Sequence, residues 1–276
     1  MSSHLAIRLD HGTTISREPD VAHRVAQILT RPALAVLARV NAREKDRWSK
    51  HAPATVETIE HYLTNETNDS IALDNGRAGE LTATAEIESG PHLNVKAPPA
   101  VRFIAYLVLP YDAANLEEVL TAAFELATAI RATAGFIAVE PTYGLAHRIA
   151  LGQSIPKDRV GLSAQRIAER RVRDFKREQL DTRLAGLEWG TFVGAGARKK
   201  LDLDEVRRSG AFNRVTEMSP ELAFLQLTAS PRMTSRSTLR RVSPAQGACC
   251  HRCCSIRRTF RGCRIPACSP RRTPVA

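Results

Sequence analysis

Val101-Arg102-Phe103-Ile104-Ala105-Tyr106-Leu107-Val108-Leu109 is apolar at nearly every position, and that continuity decides the fold. A strand with one wet face alternates apolar and polar side chains, whereas an unbroken apolar run has cover on both faces. The stretch therefore predicts a central strand, where each large aliphatic buried contributes roughly 1.5–3 kcal/mol. Just beyond it, Leu116, Val119, Leu120, Ala123, Phe124, Ala127 and Ile130 recur at the i, i+3, i+4 spacing of one helix face. Gly135 follows, and Phe136-Ile137-Ala138-Val139 predicts another strand. Strand, helix and strand in that order point to an α/β or α+β domain: a mixed sheet with helices packed against it.

Working toward the N-terminus, Leu81, Ala83, Ala85 and Ile87 alternate with polar neighbours and predict a half-buried strand. Ala54 to Leu63 predicts a short helix. Leu5, Ile7 and Leu9 predict a first strand, and Glu18-Pro19-Asp20 opens a helix carrying Val21, Val25, Ile28 and Leu29, with Pro at an early position. Pro32 ends or kinks that helix, and Ala33 to Val40 resumes an apolar stripe. Toward the C-terminus the spacing predicts a polar helix over Ser163 to Leu184, strands over Leu187 to Val193 and Leu222 to Leu227, and a short helix near Leu203 to Arg208. No Pro/Gly linker divides this stretch, so residues 1–231 are expected to form a single globular body.

Residues 232–276 have a different composition. All six cysteines lie between Cys249 and Cys268, and no Asp or Glu follows Glu221. This tail holds eleven Arg and no Lys, while residues 1–231 carry 29 bases and 29 acids, so the net charge of +11 belongs to the tail. Such a segment can act as a basic arm that neutralises phosphates. Its cysteines and His251 offer enough ligands for zinc, but no CxxC pair repeats at a finger-like distance. A disulfide knot would suit a secreted chain, yet Met1 to Asp10 forms no apolar signal segment. Out-of-frame translation fits the composition best. In a GC-rich gene, CTG-CTG reads as Cys one frame over, among Arg, Pro, Ser and Ala. The tail is therefore expected to be disordered or out of frame, and to touch nucleic acid only non-specifically.

No run of 18 apolar residues occurs, so no membrane span is expected, and a body without cysteine suits the cytoplasm. Chemistry-bearing motifs are sparse: there is no GxSxG, no HExxH and no P-loop. Gly194 and Gly196 follow a predicted strand, but the third glycine of a dinucleotide fingerprint would fall at Lys199, so a basic turn is the simpler reading. Glu57, Glu60 and His61 share one helix, as a solvated face does. No catalytic residue, cofactor or metal is expected. Charge is distributed unevenly, however: residues 54–130 carry twelve acids against Arg77, Lys96 and Arg102. An acidic middle third can steer a basic partner. Glu57, Glu60, Glu66 and Asp69, with no base between them, are the candidate partner-binding residues.

The second half carries a further signal. Leu187-Glu188-Trp189-Gly190-Thr191-Phe192-Val193-Gly194, the helix start Leu201-Asp202-Leu203, Gly210 and Leu222-Ala223-Phe224-Leu225-Gln226-Leu227 resemble the type VI secretion immunity proteins that inhibit VRR-Nuc nuclease toxins. The resemblance covers roughly residues 90–231. That family continues into a helix rich in Arg, Ala and Leu and a last short strand, where this chain has its Cys/Arg tail. The resemblance implies a cytosolic, non-enzymatic immunity protein that blocks the DNA-binding or metal-dependent site of a nuclease toxin, with no catalytic residues of its own. Two rivals stand beside it: a nucleic-acid-binding protein using the Arg-rich tail, and an enzyme without a recognisable motif.

Overall fold

The computed structural model describes residues 3–45, 47–76, 81–89, 103–152 and 188–230. The expected helix over 163–184 and the tail over 232–276 lie outside the described residues. Strands are β1 (His4–His11), β2 (Arg39–Glu44), β3 (Arg47–Trp48), β4 (Ala52–Pro53), β5 (Ser70–Asp74), β6 (Thr84–Glu88), β7 (Phe103–Pro110), β8 (Ala134–Glu140), β9 (Gly190–Val193), β10 (Arg214–Ser219) and β11 (Leu222–Gln226). Helices are α1 (Pro19–Leu29), α2 (Val56–Thr64), α3 (Leu116–Ala129), α4 (Tyr143–Ala150) and two short ones, α5 (Ala195–Arg198) and α6 (Leu203–Arg208).

The described strands form one sheet in the order β10-β11-β9-β8-β1-β7-β6-β5-β2-β3, with β4 also on β2. Every pairing among them is antiparallel, where the sequence suggested a mixed sheet. The reason is β1. The unit β7–α3–β8 sends two strands in the same direction, as the strand–helix–strand pattern predicts, but β1 lies between them and pairs antiparallel with both. Ile7 thus faces Leu107 on one side and Ile137 on the other.

Helices cover both faces. On one, α1, α2 and α3 bury Leu5, Ile7, Leu9, Ile71, Leu73, Ile87 and Leu107. The buried seam of α3 holds Leu120, Ala123 and Ala127 of the expected stripe, joined by Ala122, Leu126 and Ala129 beside it. Over the opposite face, α4 packs on Ala6, Ile104, Tyr106 and Val108 and, along its other side, on Phe136 and Ala138. Beside it, α5 and α6 close a smaller core of Val193, Leu201, Val206 and Leu225. Thr55 caps α2, Thr142 caps α4, and Asp202 caps α6 by accepting from the Asp204 and Glu205 N–H groups.

The Trp189 stretch is built into this core. Phe124, Phe192 and Phe224 form an aromatic cluster with ring centroids 4.7, 5.0 and 6.0 Å apart. The buried Trp189 Nε1–H donates to the Thr228 carbonyl at 2.8 Å. Gly190 has no room for a side chain, since a Cβ there would lie 2.6 Å from Phe224.

Candidate functional site: the polar face of the sheet

The sheet face that carries α4 becomes polar beyond β7. Strand register lines its side chains up in rows: Trp48, Arg43, Ser70 and Glu88; then Asn41, Ala72, Glu86, Tyr106 and Arg8; then Arg39, Asp74, Thr84 and Val108. Their neighbours on each strand, such as Val40, Ile71, Leu73, Ala85 and Ile87, point into the core, so alternation alone puts the charges on one side.

Hydrogen bonding fixes the middle of this face. The Tyr106 hydroxyl lies 3.0 Å from Glu86 Oε2 and 3.2 Å from His147 Nε2, and Ser70 Oγ donates to Glu86 Oε1 at 3.2 Å. An ionised carboxylate only accepts, so the single Tyr106 proton goes to Glu86 and His147 presents Nε2–H to the phenol oxygen. His147 stacks on Tyr143 at 5.7 Å, and Tyr143 meets the His4 ring edge-on. Burial, then the Glu86 charge and its hydrogen bond, push the Tyr106 phenol well above its ordinary range. Burial also raises the Tyr143 phenol, against a hydrogen bond from Thr84, and lowers His147, against the opposing field of Glu86. All three rings are thereby held neutral. The arrangement is a fixed polar brace between β6, β7 and α4.

Asp74 anchors the outer row. It accepts from Arg39 and His51 at 3.0 Å each and from the Gly76 N–H at 2.7 Å. Burial alone would raise its carboxyl, but the Gly76 and Arg39 bonds and the charges of Arg39 and His51 outweigh that and hold it low. Glu88 accepts from the Ile104 N–H at 2.7 Å.

The four carboxylates singled out from the sequence do not share one surface. Glu57 is exposed in the first turn of α2, where hydrogen bonds from its own N–H and from Thr55 lower its carboxyl. Glu60 bonds His23 Nδ1 of α1 at 2.7 Å, and exposed Glu66 faces Arg17 at 3.9 Å. Asp69 is buried, its backbone bonded to Arg43 and Ser89, so it cannot meet a partner's charge directly. Glu57 and Glu66 are exposed, and Glu60 is half-buried beside His23. Gly194 follows β9 and caps α5, where a Cβ would run into the Thr133 backbone, so it serves a tight turn.

Sequence reading overlooked the outer edge. The β2–β3 hairpin exposes Trp48 at 45 %, among Arg47, Lys45 and Lys50. The signal was present as a lone Trp inside the charge run Arg43 to Lys50. Among the described residues, no group of three His, Cys, Asp or Glu side chains could hold a metal ion, and no helix is long and apolar enough to cross a membrane.

Comparison with known proteins adds a likeness of fold. No family model matches the chain, and no curated protein matches it. The fold is similar to that of Pseudomonas aeruginosa T6SS protein PA0821. That likeness has a TM-score of 0.53 at 14% identity and covers 83% of this chain and 68% of that one. At such identity it is a likeness of fold.

Proposed function

We propose that this chain is a non-enzymatic immunity protein of type VI secretion, acting in the cytoplasm by binding and neutralising a nuclease toxin of the VRR-Nuc type. The observation that carries this reading is the shared fold with a T6SS protein over 83% of the chain. Of the residues that carry the sequence resemblance, Trp189, Phe192 and Phe224 lie in the main core with Gly190 against Phe224, and Leu225 lies in the smaller core on the other face. The polar face supports a binding role: its titratable rings are neutral and engaged with one another, as a rigid platform requires. Protection comes from covering the toxin's DNA-binding groove or metal site, with Glu57, Glu60 and Glu66 set against groove bases.

The test is co-expression with the product of a neighbouring toxin gene. Growth rescue, together with co-purification of the two full chains as a stoichiometric complex, is the expected result. Rescue without a complex, or sequence-specific DNA binding by residues 1–231, would overturn it. Non-specific DNA binding with a steep salt dependence, lost on removing residues 232–276, is compatible with it.

A further inference from the structure

His11 ends β1 on the face of Leu5, Ile7 and Leu9, where alternation calls for one more apolar side chain. Its ring is fully buried and packs on Phe103 with 5.6 Å between ring centroids. Among the described residues, neither ring nitrogen has a hydrogen-bond partner. A buried polar group without a bond costs stability, and a leucine here would carry no such cost. Charged groups border this corner, but none of them bonds the ring. Asp10 faces the other side of β1 and holds Arg8, the Asp69 carbonyl accepts from Ser89, and Glu18 pairs with Arg131. Burial dominates the ring's affinity for a proton, opposed by a Thr13 backbone contact that falls short of a hydrogen bond. Neutral, the ring is unsatisfied; protonated, it is a cation in an apolar site with no counter-charge.

The way out is short. β1 pairs with β7 as far as His11 opposite Phe103, but with β8 only as far as Asp10 opposite Ala134, so the sheet holds His11 on one side. The next residue, Gly12, is exposed, and nothing stands within 4 Å of its Cβ position. Residues 12–17 then cross the corner on few ties. Thr13 Oγ1 donates to the Ile130 carbonyl at 2.7 Å, Ser16 N–H donates to the Ser89 carbonyl at 3.2 Å, and the Ile15 side chain is buried. Water replaces both hydrogen bonds once the segment lifts. Residues 4–10 differ, because each of them lies between two strands. A lightly tied corner beside a densely packed core opens at lower free energy than the whole fold.

We propose that His11 is an acid-operated latch: taking up a proton expels its ring from the core and opens residues 12–17, while residues 4–10 stay in the sheet. The closed corner excludes the charge and the open corner hydrates it, so protonation favours the open form. Opening bares Phe103 and Ile15, which gives the chain apolar surface in acid that it hides at neutral pH. The 3-10 turn Ile15–Arg17 loosens with it, since that turn is held to the rest of the fold by the same ties. The latch follows from the fold alone and does not depend on the immunity reading.

Hydrogen exchange of the full chain at pH 7 and pH 5, corrected for the intrinsic exchange rate, tests it. A ring that takes its proton at 6.5 when open and at about 4 when closed raises the open population about twentyfold over that interval. The Ser16 and Arg17 amides, whose bonds close the corner, should lose that much protection, and the Ala6 and Ile7 amides should keep theirs. His11→Leu should abolish the response. A change under about threefold at Ser16 would overturn the latch. Equal losses at Ser16 and Ile7, the mark of global unfolding, would overturn it too, as would a response that survives in His11→Leu. Ring NMR on the unaltered chain is a second check that needs no variant. His11 should titrate well below the ordinary histidine range, and a ring titrating near 6.5 would overturn the latch.

Discussion

Arg8 and Asp10 bond side chain to side chain on one face of β1, with Arg8 Nη2 donating to Asp10 Oδ1 at 2.9 Å and both groups almost wholly buried. Arg8 Nη1 also donates to the Ala150 carbonyl at the end of α4, where helix carbonyls lack partners and a cation is favoured. Gly152, at φ +70°, leaves room for that guanidinium, since a Cβ there would lie 2.8 Å from it. The pair therefore pins α4 to the sheet. Asp10→Ala removes the carboxylate that the buried Arg8 guanidinium bonds and should cost about 3–5 kcal/mol. A fall in the urea midpoint accompanied by loss of near-UV ellipticity from Tyr106 and Tyr143 would confirm it, and a stability loss under about 1 kcal/mol would refute it.

His11 gives the fold a defined acid sensitivity. Its ring is fully buried against Phe103, and burial lowers its pKa from 6.5 to about 4, a weak Thr13 backbone contact opposing the shift. The unfolded chain therefore takes up this proton more readily than the folded one. Stability is complete above pH 6.5 and declines as pH falls toward about 4, by about 3 kcal/mol in total for this group. His11→Leu should flatten that part of the stability–pH curve. An unchanged slope would assign the acid sensitivity elsewhere.

Two glycines should respond in opposite directions to the same added methyl group. At Gly194 a Cβ would lie 2.3 Å from the Thr133 carbonyl oxygen, which is backbone and cannot step aside, so Gly194→Ala should destabilise by about 1–3 kcal/mol. Gly144 sits in α4 with nothing within 4 Å of its Cβ position, so Gly144→Ala should stabilise by about 0.5–1 kcal/mol. Thermal melts of the two variants check both signs.

The carboxylates of α2 and of the turn after it make a kinetic prediction. Reversing Glu57, Glu60 and Glu66 to Lys should slow toxin association more than it speeds dissociation, with the effect shrinking as salt rises. Asp69 is excluded because it is buried. Equal loss on reversing Lys199 and Lys200 would mean generic surface damage.

Legibility followed the origin of each signal. The apolar run through Leu109 and the α3 stripe were readable because burial on both faces, or on one helical stripe, marks the residues themselves. Leu5, Ile7 and Leu9 revealed β1 but not its central place: His4, Ala6, Arg8 and Asp10 look like a wet face, yet they are buried, and Arg8 and Asp10 neutralise each other. The apolar stripe from Ala33 to Val40 proved to be a short 3-10 turn and then the start of β2, with Leu37 and Val40 in the core. β5 was missed, since Ser70 and Asp74 hide a two-residue apolar alternation. α4 was missed because its contacts are small, with Ala146 and Ala150 lying flat on the sheet. The polar brace left no local trace, because Glu86, Tyr106 and His147 meet from three separate elements.

β1 is made well before either of the strands that flank it. Its two neighbours begin at Phe103 and Ala134, so it emerges with neither partner in existence. Roughly ninety residues separate it from the first of them, roughly 5–20 s of synthesis, during which its apolar side chains have no sheet to join. A newborn chain of this architecture therefore keeps aggregation-prone apolar surface exposed until β8 leaves the exit tunnel. Synonymous codons that slow translation between His11 and Phe103 should lower soluble yield without altering one atom of the finished protein.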